Sequence, residues 1–160
     1  MAEQKTNVMR ILAQKKISYK AYEYPHGDGP VDGVTVAEIT GLDPKTVFKT
    51  LVCRGASKSI YVFCIPVAAE LDLKKAAKAV GEKSIAMIHV SEITALTGYV
   101  RGGCSPVGMK KKYRTTFHES VNALDTVVVS AGRIGHQVAL APGALIELVR
   151  AATADIIAED

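Results

Sequence analysis

The segment from Tyr99 to Lys112, YVRGGCSPVGMKKK, places several kinds of chemistry side by side. Gly102 and Gly103 could let backbone N–H groups converge on an anion or oxyanion, because glycine adopts positive φ and lets a ligand approach closely. Cys104 could instead act as a nucleophile, although no histidine lies near it in the sequence to serve as base. A tight turn stabilised by glycine and proline explains the same residues without any chemistry. On the residues alone, these three interpretations stay open.

A basic run follows this loop, made of Lys110, Lys111, Lys112 and Arg114. Charge runs of this kind are most often a solvated surface. Their position directly after a candidate active loop also suits contact with the phosphate groups of a nucleic acid.

Lys49 is a single lysine inside the apolar segment VFKTLVC. Alternate residues of a strand share a face, so Lys49 would lie between Val47 and Leu51. Because an unpaired charge is costly to bury, this lysine needs either a function or an exit to water. One interpretation is an edge-strand lysine that prevents aggregation. The other is a partly desolvated lysine that holds a negatively charged group at a reaction centre.

The residues AGRIG, from Ala131 to Gly135, join two strand-like runs. Glycine on both sides of the central pair is typical of a hairpin that needs positive φ. Ser130 and Arg133 are additional candidates for ligand contact.

The overall composition indicates one globular domain over residues 1–160. The chain is 48% hydrophobic and carries a net charge of +4, which permits an anionic partner without requiring one. No apolar run reaches the ~18 residues of a membrane span, and the N-terminal residues lack the apolar core of a signal peptide. The cysteines and histidines are scattered, without metal-ligand spacing. We therefore expect no metal, no cofactor, no membrane contact and a reducing cytoplasm.

Periodicity and turn signals predict helices over residues 6–16, 72–80 and from Pro142 onward. They also predict a helix with a Thr35–Glu38 capping box that ends at Gly41, a helical turn opened by Pro44, and a helix capped by Ser91. Strands are expected at residues 18–24, 48–53, 60–65, 84–89, 114–118, 126–130 and 136–141. The order of these elements lacks the regular alternation of a doubly wound sheet. It favours an α+β domain built on a mixed, barrel-like sheet with flanking helices.

Four motifs, in this order and spacing, resemble the YbaK/EbsC family: VFKTLV, LDLKKAAKAVG, TGYVRGGCSPVGMKK and VVVSAGRIGHQVALAP. Members of that family are free-standing relatives of the editing domain found in bacterial prolyl-tRNA synthetases. The resemblance extends from the first helix to the last and implies a YbaK-like fold. It also implies hydrolysis of mischarged aminoacyl-tRNA in trans, most often Cys-tRNA(Pro) or Cys-tRNA(Cys), without a metal or a protein nucleophile.

The same resemblance assigns roles to individual residues. It implies that Lys49 helps to hold the tRNA 3′ end or the reacting ester, and that Gly102 and Gly103 supply backbone donors to the carbonyl oxygen. Tyr24 and Ser130 would line the substrate pocket. The basic run Lys110, Lys111 and Lys112 would then meet tRNA phosphates.

Two positions depart from the family pattern. Relatives that act on Cys-tRNA(Pro) carry an acidic residue where this chain has Gln137, and commonly an aliphatic residue where it has Cys104. Both features indicate a different branch, so an alanine or another small amino acid is an alternative substrate. The rival functions are a regulatory module that binds tRNA or a synthetase without catalysis, and a hydrolase that depends on Cys104.

Overall fold

Most helix boundaries coincide with the side chains and glycines that helix ends require. The structure is a computed structural model that describes residues 5–25 and 32–159. Its α-helices are α1 (Asn7–Gln14), α2 (Gly33–Thr40), α3 (Leu73–Val80), α4 (Ile93–Thr97) and α5 (Pro142–Val149). Short 3₁₀ turns occupy Val90–Glu92 and Glu119–Ala123. Most of the turn expected after residue 24 lies outside the described residues.

The caps of α1 and α3 follow the sequence signals directly. The Thr6 hydroxyl accepts the Met9 N–H at 3.2 Å. The Asp72 carboxylate accepts the N–H groups of the first turn of α3, which satisfies donors that have no partner within the helix. Gly81, with φ of 76°, ends α3 in the left-handed conformation. None of the helices in the described residues is both long and apolar enough to cross a membrane.

Three details of the helix predictions were wrong. Asp32 caps α2 by accepting the Thr35 N–H at 3.3 Å, so Thr35 lies inside the helix and does not form the predicted capping box. Ser91 lies inside a 3₁₀ turn, which begins with reciprocal bonds between His89 and Glu92. Pro44 opens a single hydrogen-bonded turn with no helix. In α2 and in the 3₁₀ turn, a carboxylate of a neighbouring residue, Asp32 or Glu92, makes the capping hydrogen bond that the prediction had assigned to Thr35 or Ser91.

The strands form two sheets. They are β1 (Tyr19–Glu23), β2 (Phe48–Gly55), β3 (Ile60–Pro66), β4 (Ile85–Met87), β5 (Arg114–His118), β6 (Val127–Ser130), β7 (His136–Leu140) and β8 (Ala152–Ala154). One sheet is antiparallel, with strand order β1-β7-β6. The other has the order β4-β2-β3-β5-β8 and is mixed, because β3, β5 and β8 run parallel. The predicted α+β class with a mixed sheet is confirmed.

The two sheets do not close into a barrel within the described residues. They meet at a parallel bridge between Val47 and Val128, where the Val128 N–H donates to the Thr46 carbonyl at 2.8 Å. The barrel-like sheet expected from the sequence is therefore two sheets joined at one point. β8 was not predicted, because a three-residue strand gains its ladder only from β5 beside it.

Of the three apolar clusters in the described residues, the two larger ones contain side chains of β2 and hold the sheets in place. Phe48 and Phe117 face each other in the larger cluster, with ring centroids 6.0 Å apart. Phe63 and Ile65 pack beneath α3 in the smaller cluster, together with Cys53. β2 contributes side chains to both clusters, so its position between them is fixed.

Candidate active site

A cavity of about 440 Å³ opens between β2, the β6–β7 sheet and the loop after α4. Its walls are made by residues from distant parts of the chain: Tyr24, Asp32, Gly33, Val36, Phe48, Lys49, Thr50, Leu51, Val52, Val67, Met87, Ile88, Val90, Ile93, Arg101, Gly102, Cys104, Ser130 and Gln137. A cavity of this size suits a small molecule or the end of a larger one.

Four residues selected from the sequence meet in this cavity: Tyr24, Lys49, Gly102 and Ser130. In the chain, the first and the last of them are separated by more than a hundred positions. Cys104 and Gln137, the two departures from the family pattern, line the same space.

Lys49 is half-buried on β2, where it lies opposite Ile65 of β3. β2 is an interior strand of its sheet, but β4 pairs with it only from Cys53 to Gly55. Lys49 therefore lies where one side of the strand is open to the cavity. No carboxylate within the described residues forms an ion pair with its ammonium group, which leaves that charge available to an anionic ligand.

The two loop glycines have different structural roles. Gly102 has φ of 86° and occupies the third position of a turn that the Gly103 N–H closes by donating to the Val100 carbonyl at 3.0 Å. Only glycine adopts this backbone conformation at little cost. The Gly103 N–H is thus engaged within the loop. The N–H groups of Gly102 and Cys104 make no hydrogen bond within the described residues.

Gly103 is instead a point of close packing. A methyl group in place of its hydrogen would lie 3.0 Å from the Ile134 nitrogen and 3.1 Å from the Arg133 carbonyl carbon. The loop that carries Gly102 is therefore pressed against the β6–β7 hairpin.

Tyr99 ties the other end of the loop to the core. It is 9% exposed, and its hydroxyl donates to the Val107 carbonyl at 2.5 Å. Burial raises the pKa of Tyr99 to about 12, so the hydroxyl stays protonated and remains a donor at neutral pH. Residues 99–107 are closed into a loop whose two ends hold each other.

The Cys104 thiol lines the cavity in a poorly solvated position. Burial raises its pKa to about 11, and a hydrogen bond with Thr97 opposes this shift only in part. At neutral pH the group is a protonated thiol and a weak nucleophile. No histidine side chain in the described residues bonds to it. These properties do not support the Cys104-dependent hydrolase.

Ser130 and Gln137 lie opposite each other on β6 and β7 and form a polar patch on the cavity wall. The Ser130 hydroxyl oxygen accepts the Gly132 N–H at 3.1 Å, so its own proton is left to donate elsewhere. Gln137 is 7% exposed, and its Oε1 atom has no partner within the described residues. A buried amide in this state gains free energy when a ligand supplies the missing bond.

The basic run lies away from the cavity wall. Lys111 and Lys112 border a second cavity of about 500 Å³, which Lys15 and Arg150 also line. Lys110 lies outside both linings, and its backbone N–H donates to the Thr97 carbonyl. The segment from Gly102 to Val107 connects the two cavities, because one end lines the first and the other end lines the second.

The apolar rim of the cavity was missed from the sequence. Met87 and Val90 are 49% and 55% exposed, which is unusual for large apolar side chains. The Arg54 guanidinium bonds to Glu92 at 3.1 Å and fixes the turn that carries Val90. The sequence signal for this rim was Val90, an apolar residue within the polar stretch HVSE.

Comparison with known proteins places this arrangement in a family. The signature of the aminoacyl-tRNA editing domain matches residues 32–148. The chain belongs to the aminoacyl-tRNA editing domain family. That matched region contains Lys49, the loop glycines, Ser130 and Gln137.

A relative of this editing domain in Enterococcus faecalis, EbsC, is named for a proposed Cys-tRNA(Pro)/Cys-tRNA(Cys) deacylase activity. It is 42% identical over 158 residues, which cover 99% of this chain and 96% of EbsC.

Solved structures show the same fold. A proposed trans-editing enzyme for prolyl-tRNA synthetase superposes with a TM-score of 0.82 at 23% identity, covering 98% of this chain and all of the other. A scaffold protein used for epitope grafting superposes with a TM-score of 0.84 at 25% identity, over 96% of each chain.

Replacement of Gly103 should destabilise the editing domain. In Gly103→Ala the new methyl group meets backbone atoms, which cannot move independently, so we expect a loss of about 1–3 kcal/mol and a Tm lower by roughly 3–10 °C. Gly143→Ala is the matched control, since nothing lies within 4 Å of its added methyl group and alanine favours helices. Equal Tm values for the two variants in calorimetry would contradict the close packing.

The rate of Cys104 alkylation should rise at a higher pH than that of an ordinary thiol. With its pKa raised to about 11, reaction with iodoacetamide should keep accelerating above pH 9, since only the thiolate reacts. The protein unfolded in guanidinium is the control, where the rate should level off above an ordinary thiol pKa of about 8.5. Site-resolved mass spectrometry measures both rates. A plateau below pH 8 in the folded protein would show an activated thiolate.

Proposed function

We propose that this chain hydrolyses mischarged aminoacyl-tRNA in trans, with Cys-tRNA(Pro) as the main substrate and Cys-tRNA(Cys) as a second one. The observation that carries the proposal is a cavity in the editing domain that is lined both by Lys49, which forms no ion pair within the described residues, and by Gly102 and Cys104, whose N–H groups make no hydrogen bond there. The reaction breaks the ester between the amino acid and the 3′ ribose. EbsC, at 42% identity, is named for this activity.

The amides of Gly102 and Cys104 are the proposed donors to the carbonyl oxygen. They make no hydrogen bond within the described residues, and both residues line the cavity. Gly103 supports them by fixing the loop, since its own N–H bonds to Val100. Donors fixed in place before the reaction stabilise the charge that develops on a tetrahedral intermediate. The proposed role of the loop is therefore to hold two backbone N–H donors in place, which requires no side chain that gains or loses a proton.

Lys49 is proposed to hold the negative charge of the substrate. Its ammonium group has no carboxylate partner in the described part of the chain. A lysine without a partner at a cavity wall attracts a phosphate or a developing oxyanion more strongly than the same lysine in bulk water. Tyr24 and Ser130 border the same space and would orient the aminoacyl group.

For a cysteine substrate, the thiol of the substrate is the proposed nucleophile. Its sulfur attacks the carbonyl carbon, the bond to the 3′ oxygen breaks, and that oxygen takes a proton to become the ribose hydroxyl. The product is a four-membered thiolactone, which water opens to free cysteine. This route needs no base from the protein and suits a cavity whose own thiol, at Cys104, stays protonated.

The basic second cavity is the proposed contact for the tRNA backbone. Lys111 and Lys112 border it with Lys15 and Arg150. The segment from Gly102 to Val107 spans at most about 18 Å, roughly five nucleotide steps along one strand. Phosphates held at this cavity would thus place the 3′ end near the candidate active site. Recruitment by prolyl-tRNA synthetase and a cytoplasmic location are part of the same proposal.

The function is tested with one tRNA(Pro) charged with cysteine, alanine, serine or proline. We expect release of cysteine at least a hundredfold faster than serine, because near-isosteres are otherwise separated by only about that factor and a serine hydroxyl yields essentially no anion. Lys49→Ala should remove most of the deacylase activity without a change in Tm. Lys78 is an exposed lysine on α3, and Lys78→Ala, as the matched control, should keep that activity. Equal rates for cysteine and serine would reject thiol assistance, and release of alanine only would move the chain to the alternative branch. Absence of any release would leave the regulatory module as the function.

Removal of the basic run should weaken tRNA binding for all sequences alike. We expect the triple variant Lys110→Ala, Lys111→Ala and Lys112→Ala to lower the slope of log affinity against log salt by about 0.7–0.9 for each phosphate that the variant no longer neutralises. A double variant at Lys74 and Lys78, exposed on α3, is the control for removal of surface charge. Filter binding at several salt concentrations measures the slopes. An unchanged slope in the triple variant would show that these lysines are solvated surface residues that do not contact tRNA phosphates.

A further inference from the structure

β2 has a gap in its backbone pairing at the wall of the candidate active site. β3 pairs with it along nearly its whole length, whereas β4 pairs with it only from Cys53 to Gly55. At its start, β2 is covered by the bridge from Val47 to Val128. The stretch between these two contacts lines the cavity.

The direction of the free backbone groups follows from the antiparallel pattern. The Ile88 N–H donates to the Val52 carbonyl, and the Ala56 N–H donates to Ser84. Even-numbered residues of β2 therefore direct their N–H and C=O groups toward the β4 side. Thr50 is such a residue: it pairs with Cys64 of β3 on one side, and no strand pairs with it on the β4 side in the described part of the chain. β4 pairs with β2 only from Cys53 to Gly55, so the N–H and C=O groups of Thr50 and the Val52 N–H take no part in a strand ladder on this side within the described residues.

Unpaired backbone groups at a cavity are costly unless water or a ligand satisfies them. Here the Thr50 carbonyl and the Val52 N–H are neighbours along the strand edge, so they offer an acceptor beside a donor. The Thr50 hydroxyl lies 3.7 Å from the Cys64 sulfur and is thus directed to β3, away from the open edge.

The rim beside this edge is apolar. Met87 and Val90 are about half exposed, and Ile93 lines the same part of the cavity. A flat, neutral ring could rest on these side chains while its edge bonds to the strand.

We propose that the open edge of β2 binds the terminal adenine of the tRNA substrate. The exocyclic amino group of adenine donates to the Thr50 carbonyl, and the ring nitrogen beside it accepts from the Val52 N–H. Met87 and Val90 cover the face of the base. The site deepens the proposed function, on which it rests, because Lys49 on the same strand would then meet the ribose-phosphate end of the same nucleoside.

Hypoxanthine is the discriminating base. It has the size of adenine, but its exocyclic oxygen accepts and its adjacent ring nitrogen donates. The Thr50 carbonyl would therefore face a second acceptor, and the Val52 N–H would face a second donor. Two mispaired groups of about 1–3 kcal/mol each predict binding of inosine at least about tenfold weaker than that of adenosine.

The first measurement is a titration of the ¹⁵N-labelled protein with adenosine and with inosine. We expect adenosine to shift the Val52 and Thr50 amide resonances, and inosine at the same concentration to leave them in place. Val90→Asp should weaken adenosine binding at least about tenfold, because it puts a carboxylate against the base. Leu73→Asp, at an exposed apolar position on α3, is the matched control. Equal shifts for both nucleosides, or no effect of Val90→Asp, would overturn the proposal.

The second measurement separates the adenine site from the hydrolysis itself. Cysteinyl esters of adenosine and of inosine are compared as minimal substrates. Hydrolysis of the adenosine ester at least about tenfold faster in kcat/KM supports the site. Equal hydrolysis of both esters would refute the base contact and leave the deacylase intact. Hydrolysis of neither ester, with adenosine-specific shifts retained, would refute the deacylase and leave the adenine site in place.

Discussion

The candidate site depends on the position of β2 between two apolar clusters. Phe48 packs against Phe117 on one side, and Cys53 packs beneath α3 on the other. Because residues of one strand enter both clusters, β2 cannot rotate or slide without opening the core. Lys49 and Thr50, between these anchors, are held where the sheet pairing is interrupted. The rigidity of the core thus places one cation and several backbone groups that lack a ladder partner within the described residues at one cavity wall.

The opposite wall is a loop held by three contacts of different kinds. The Tyr99 hydroxyl closes its two ends, the Gly103 N–H forms the turn, and the absent side chain of Gly103 lets the loop press on the β6–β7 hairpin. These contacts fix the backbone while leaving two N–H groups free of partners in the described residues. A site that acts through backbone donors needs this kind of support, since a donor that must reorganise during the reaction stabilises the transition state less.

The electrostatics of the cavity agree with a reaction that depends on how the substrate is held, rather than on a nucleophile supplied by the protein. Burial keeps the cavity thiol protonated at neutral pH. The charged residues that line the cavity are Lys49, Arg101 and Asp32, beside polar groups at Ser130 and Gln137. Under the proposed function, this set binds the anionic, ester-containing substrate, and water or the substrate's own thiol attacks the carbonyl carbon.

The residues alone determined the local elements and the candidate residues. Period-two and period-3.6 patterns predicted most strands and helices, because each reflects one buried face. Lys49 and the glycine loop were detectable because an isolated charge and adjacent glycines are unusual wherever they occur. The sequence interpretation made Gly103 a backbone donor, whereas its N–H bonds to the Val100 carbonyl and its Cα packs against the β6–β7 hairpin.

Only the tertiary structure decided how these parts meet. β8 exists because β5 offers an edge, and the two sheets are joined through the Val47–Val128 bridge without closing into a barrel within the described residues. The gap beside Thr50 and the separate basic cavity have no sequence signature, since they are set by where neighbouring strands end. Local patterns report which face of an element is buried, whereas a cavity is defined by several elements that are distant in the chain.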